Sequence, residues 1–128
     1  MKKNPGYESV LIISNQLTDE ELQNTVEKFA GVISANGGEI VHSEEWGRKK
    51  LSYPIKKINH GYYHLYFFKG GGATVKELSL QSSYDDKVLR CFTSSVDDLD
   101  AARDSFLELK NDPQVNLNKF LDAQNKRA

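Results

Sequence analysis

The chain has 128 residues, 17 Lys and Arg against 18 Asp and Glu, and a formal net charge of −1, so any anion binding must be local and not a bulk field effect. With 38% hydrophobic residues and twelve Phe or Tyr, composition argues against disorder and for one domain with a sizeable core. The single Cys91 excludes an internal disulfide framework and a Cys-rich zinc site, no apolar run nears the roughly 20 residues of a bilayer span, and Met1–Pro5 leads into no signal-type apolar region, so a soluble cytoplasmic chain is expected.

Tyr7 to Ser14 reads as a strand with Val10, Leu11, Ile12 and Ile13 apolar on both faces, the pattern of a central strand covered on each side. Thr18 and Glu21 form a Thr-x-x-Glu capping box, and Leu22, Val26, Phe29 and Ile33 make one apolar stripe, so a helix follows. Asn36-Gly37-Gly38 ends it. Glu39 to Trp46 is a more polar strand, as near a sheet edge, and Gly47 permits a bend or bulge before Arg48 to Tyr53 continue the ribbon. Pro54 suits an edge or a loop start, and Asn59-His60-Gly61 is a turn signal.

Tyr62 to Lys69 alternates Tyr62, His64, Tyr66 and Phe68 with Tyr63, Leu65 and Phe67, and is predicted to be the second central strand. After Gly70-Gly71-Gly72, Thr74 and Glu77 predict a capping box for a second helix. That helix carries Val75 and Leu78 inward, loses amphipathicity at Ser82 and Ser83, and stops at Asp85-Asp86. Val88 to Val96 is the last strand. The order strand, helix, strand, strand, helix, strand gives an α+β, ferredoxin-like split β-α-β fold, a four-stranded antiparallel sheet with two helices on one face. Residues 1–96 form that domain and 97–128 a C-terminal extension, helical or partly disordered. Leu99, Ala102, Phe106 and Leu109 predict an amphipathic helix stopped by Asn111-Asp112-Pro113, and Val115 to Leu121 suggests a short further one.

Chemistry concentrates in one place. Arg48, Lys49, Lys50, Lys56 and Lys57 set five cations in ten residues around Leu51, Tyr53 and Ile55. Fixed cations on a rigid, partly apolar ribbon suit a phosphate backbone, although a charge run is more often a solvated face. The triple glycine lacks the Gly-Lys-Ser/Thr ending of a phosphate loop, and the spacing of His42, His60 and His64 matches no zinc signature. Cys91 reads as a small core residue, and no acid/base pair stands out. No enzyme, cofactor or metal is expected. His60 to Phe67 loosely echoes the aromatic motif with which RNA-recognition-motif domains stack bases, but Tyr63 and His64 depart from it.

The stretch Gly47-Arg48-Lys49-Lys50-Leu51-Ser52-Tyr53-Pro54-Ile55-Lys56 closely resembles the signature of the bacterial small-subunit ribosomal protein "S six" family, with Lys50 a slight departure. Tyr7-Glu8, Gly37-Gly38, Gly61-Tyr62-Tyr63 and Val88-Leu89-Arg90 support the resemblance, which runs from about Tyr7 to Val96. It implies a structural ribosomal protein that binds small-subunit ribosomal RNA in the central domain and platform. The binding is joint with ribosomal protein "S eighteen", which would supply much of the positive charge; the free chain would be a monomer. The expected RNA contacts are Lys2, Lys3, Arg48, Lys49, Lys50, Lys56, Lys57 and Arg90. Ser82 and Ser83 replace an apolar and a basic residue common in the family, which puts one cationic contact in doubt. Tyr63, Leu65 and Phe67 would lie on the sheet face opposite the helices, too apolar for water. Either the partner protein or this chain's own tail should cover them.

Overall fold

A computed structural model of the chain describes residues 4–55 and 58–111. Seven elements follow in order: β1 (Gly6–Ser14), α1 (Asp19–Ala35), β2 (Glu39–Ile55), β3 (Ile58–Lys69), α2 (Gly72–Tyr84), β4 (Val88–Val96) and α3 (Leu99–Asn111). The four strands form one antiparallel sheet ordered β2-β3-β1-β4, so β1 and β3 are central as their two-sided apolarity requires.

Strand alternation divides the apolar residues into two cores. Leu11, Ile13, Tyr66 and Phe68 meet Leu22, Phe29 and Ile33 of α1 and Leu78 of α2. Val10, Ile12, Trp46, Tyr63, Leu65 and Phe67 meet Leu99 and Phe106 of α3. The tail is therefore the cover of the second face: Phe106 packs edge-on to Trp46 with ring centroids 5.1 Å apart and lies 6.4 Å from Phe67. Leu109, the last residue of the predicted stripe, falls within α3, while the suggested helix at 115–121 lies outside the described residues.

Local chemistry sets the element ends. Thr18 Oγ1 accepts from the Glu21 N–H at 3.2 Å, and Glu21 accepts from the Thr18 N–H at 3.1 Å, so the predicted capping box closes α1. These bonds to Thr18 hold the Glu21 carboxyl below its usual range. α2 starts earlier than expected. Its N-cap is Gly71, and Thr74 is buried in the first turn, donating its hydroxyl to the Asn36 carbonyl at 2.7 Å, a bond that ties α2 to the end of α1. Ser82, also buried, satisfies itself by donating to the Ser79 carbonyl at 2.8 Å.

Just before α3, the Asp98 carboxylate accepts from the Asp100 N–H at 3.1 Å, and the Leu99 N–H donates to the Asn4 carbonyl at 2.7 Å. Gly6 permits this close approach: a Cβ there would stand 2.5 Å from the Phe68 carbonyl and 2.7 Å from the Leu99 side chain.

β2 and β3 differ most from expectation. β3 starts at Ile58, so Asn59-His60-Gly61 is strand and not turn: His60 pairs with Lys50 and Gly61 with Lys49. β2 is correspondingly long, running through Gly47 and Pro54 to Ile55, as an edge strand can with a proline in it. Trp46 and Gly47 together face Tyr63, a bulge in which Gly47 adopts φ 95°.

Candidate nucleic-acid interface

The register of β2 against β3 assigns each described cation to a face. Arg48 pairs with Tyr62 and Lys50 with His60, on the α1/α2 face; Lys49 pairs with Gly61, on the α3 face. All three are exposed. Arg48 Nη2 lies 3.2 Å from Asp19 Oδ1 at the start of α1, and its guanidinium stands 6.0 Å from the Tyr62 ring centroid. Burial and the Glu45 carboxylate push the Tyr62 hydroxyl well above its usual range, so Tyr62 is a neutral platform for that cation.

Arg48 and Lys49 stand opposite Tyr62 and Gly61, which β1 still pairs through Ile13 and Ser14, so these two cations lie on the edge of the four-stranded sheet, and Lys50 lies just beyond it. β1 stops pairing with β3 at Ser14–Gly61, whereas β2 and β3 remain paired at Lys50–His60 and Ile55–Ile58. The end of the β2–β3 pair therefore projects beyond the four-stranded sheet as a free two-stranded ribbon. Sequence reasoning found the cations but missed the projection, having read a turn at 59–61. The available signal was the spacing of Ile55 and Ile58 around Lys56-Lys57.

Charge changes sign along β2. Before Gly47 the strand carries Glu39, Glu44 and Glu45, and after it Arg48, Lys49 and Lys50. The acidic half is engaged with α3: Arg103 Nε lies 3.5 Å from Glu44 Oε2, an ion-pair distance without hydrogen-bond geometry. His42 Nε2 donates to Asp100 Oδ1 at 2.9 Å and holds that carboxyl below its usual range.

The other expected contacts are dispersed. Arg90 is exposed on β4, its guanidinium 5.3 Å from the Phe92 ring centroid. β4 is the opposite edge of the sheet from β2, three strand spacings or about 14 Å away, so Arg90 does not join the ribbon cluster. Lys2, Lys3, Lys56 and Lys57 lie outside the described residues. Tyr63, Leu65 and Phe67, expected to meet a partner protein, are 1%, 0% and 0% exposed beneath α3 and offer no surface while that helix is docked.

The histidines do not converge. His42 meets Asp100, His60 is exposed, and His64 Nε2 lies 2.7 Å from Ser43 Oγ with its Nδ1 buried and without a hydrogen-bond partner among the described residues. Burial lowers the His64 pKa to about 4. Among the described residues no group of His, Cys, Asp and Glu is arranged to hold a metal. Cys91 lies 3.5 Å from Ser9 Oγ, and burial pushes its thiol up, the environment of a packing residue more than of a nucleophile. No helix among the described residues is long and apolar enough to cross a membrane.

Residues 6–94 match the family model described as Ribosomal protein S6. The "Small ribosomal subunit protein bS6" of Phocaeicola vulgatus is 40% identical over 91 residues, 71% of this chain and 80% of that protein. The protein of the same name from Clostridium novyi is 42% identical over 85 residues, 66% of this chain and 90% of the relative. The crystal structure of 30S ribosomal protein S6 from Thermotoga maritima superposes with a TM-score of 0.69 at 29% identity, covering 84% of this chain and 98% of that one. The family match takes in the whole sheet up to Ser94, with α1, α2 and the cationic ribbon, and ends before α3 begins at Leu99.

Proposed function

The chain belongs to the ribosomal protein S6 family, and from that premise we propose that it is a structural protein of the small ribosomal subunit that binds ribosomal RNA through the β2–β3 ribbon. The binding is joint with ribosomal protein "S eighteen", in the central domain and platform, and the free chain is a monomer. The observation that carries the reading is the ribbon itself. Arg48, Lys49 and Lys50 are exposed in a row on the edge strand β2, at the end of the sheet where the β2–β3 pair passes the end of β1, within the segment matched to the family. Fixed cations on a rigid support give phosphate contacts that position a protein on RNA without reading its bases. Net charge of −1 makes this a weak binder alone, so most affinity should come from the pair of proteins. The chain acts as a scaffold, and no reaction is assigned to it.

The reading as a stand-alone single-strand binder requires an open aromatic sheet face. Here Tyr63, Leu65 and Phe67 lie under α3, and Tyr66 lies under α1 with its hydroxyl donating to the Val26 carbonyl at 2.7 Å. Titrating small-subunit RNA with the chain alone, with the partner, and with both separates the readings. The scaffold reading expects weak binding alone and much tighter binding together; tight binding of the chain alone to short single strands would overturn it. Replacing Arg48, Lys49 and Lys50 by Ala should lower the log–log salt slope by roughly 0.7–0.9 for each phosphate that is no longer neutralised.

A further inference from the structure

We propose that Tyr62 is a positioning residue for RNA binding: its ring holds the Arg48 guanidinium in a set direction, so that Arg48 presents a fixed contact to a phosphate, whereas Lys49 and Lys50 supply charge without direction. The inference rests on the RNA-binding reading above and deepens it by dividing the three exposed cations into two kinds.

Arg48 is held from two sides. It stands opposite Tyr62 in the β2–β3 ladder with its guanidinium 6.0 Å from the ring centroid, and its Nη2 lies 3.2 Å from Asp19 Oδ1 at the start of α1. Asp19 engages that one nitrogen and the Arg48 side chain is half-exposed, so the rest of the fork stays open to a phosphate oxygen. The lysines are placed differently. Lys49 stands opposite Gly61, which offers it no side chain, and Lys50 stands opposite His60. Among the described residues neither lysine has an ion-pair or ring partner.

The support beneath the cation is itself fixed. Tyr62 is paired on both sides, with Arg48 of β2 and Ile13 of β1, and its ring packs against the core under α1 and α2. Its hydroxyl bonds the Glu45 carboxylate, on the same strand as Arg48 but across the bulge at Trp46 and Gly47. Tyr62 thus spans the point where β2 changes the sign of its charge, with an anion at its hydroxyl and a cation beside its ring. A side chain that is ordered before binding gives up less rotamer freedom when the phosphate arrives, and a planar Arg fork gives up less than a Lys stem.

The test measures the affinity of the full-length chain for labelled small-subunit ribosomal RNA, with ribosomal protein "S eighteen" present throughout. Tyr62→Leu should weaken binding roughly two- to fivefold, the worth of an exposed cation–ring contact, and Tyr62→Phe, which keeps the ring, should bind as the natural chain does. Tyr62→Leu should cost nothing more once Arg48 is Ala, and its full cost once Lys50 is Ala. Arg48→Lys leaves the core untouched and keeps the charge, so it should lose as much affinity as Tyr62→Leu with no change in salt slope. The inference is overturned if Arg48→Lys binds as the natural chain does, or if Tyr62→Leu costs as much with Arg48 absent as with it present, the mark of a purely structural role. The triple alanine variant of Arg48, Lys49 and Lys50 separates the two readings. If it weakens binding while Arg48→Lys is silent, the inference alone fails; if it too is silent, the functional reading fails with it.

Discussion

The two faces of the sheet solve the same problem by different means. The α1/α2 face is covered by helices of 17 and 13 residues, α1 and α2, joined to each other through Thr74 and to the sheet through the Tyr66 hydroxyl on Val26. The α3 face is covered by one helix of 13 residues, anchored by Leu99 and Phe106 and flanked by the His42–Asp100 and Arg103–Glu44 pairs. Both covers leave their core side chains almost without solvent exposure. Yet the first lies inside the segment matched to the family and the second beyond its end at Ser94. Two-sided apolar strands therefore demand that each face be covered, but they do not specify by what.

The largest expected effect tests whether the second cover is truly a core. Phe29→Ala and Phe106→Ala should each cost about 3–5 kcal/mol in urea unfolding, since both rings are fully buried. A cost below about 1 kcal/mol for Phe106→Ala alone would make α3 an ornament on a sheet that stands without it. Amide exchange gives a second readout: residues 99–108 should be protected in the natural chain and exchange fast in Phe106→Asp.

Acid sharpens the comparison from the other face. His64 is buried on the α1/α2 face, beside Ser43 and Tyr66, with its pKa lowered by burial to about 4 against a usual 6.5. Between those values the unfolded chain binds a proton that the folded chain refuses, so stability should fall as pH drops from about 6.5 toward 4 and then level for this group. The loss from this residue is about 3 kcal/mol. Urea midpoints across that range should flatten in His64→Gln, and an unchanged slope would assign the acid sensitivity elsewhere. The helix starts come next. Thr18→Ala at α1 and Asp98→Ala at α3 should each cost about 1 kcal/mol if both caps act alike. Smallest is Arg103→Met, within about 1 kcal/mol, because its pair with Glu44 is partly exposed and loosely aligned. A larger value would mean that charge, and not Phe106, holds α3 down.

Much of this architecture was legible in the chain because the strongest signals were local patterns that agree with the tertiary contacts. The double-sided run from Val10 to Ile13, the stripe through Phe29 and the Thr18–Glu21 box are local patterns that tertiary contacts reinforce. The misreadings share one cause, local turn chemistry overruled by pairing. Asn59-His60-Gly61 has the composition of a turn, but Lys49 and Lys50 of β2 supply ladder partners that keep it extended. Thr74 has the spacing of a cap, but burial against Asn36 places it inside the helix. For the site, the identity of the cations was readable and their placement was not. Gly47 marked a possible bend or bulge, and one forms there, but which face each cation occupies is decided by the pairing with β3. Which of two candidates covers Tyr63, Leu65 and Phe67 is likewise a matter of long-range packing that no local pattern fixes.

That bulge has a consequence for how the chain tolerates changes in length. It stores one residue of slack in β2, since Trp46 and Gly47 share a single partner, Tyr63. Deleting Gly47 would let Trp46 alone stand opposite Tyr63, with Arg48 still beside Tyr62 and Lys49 still beside Gly61. β3 holds no such reserve over Tyr62 to Phe68, where it is paired on both sides and its ladder with β1 is regular. Losing one residue there would turn the side chains beyond the gap to the wrong face. Insertions and deletions in this lineage should thus accumulate on the edge strand around residue 47 and be purged from β3.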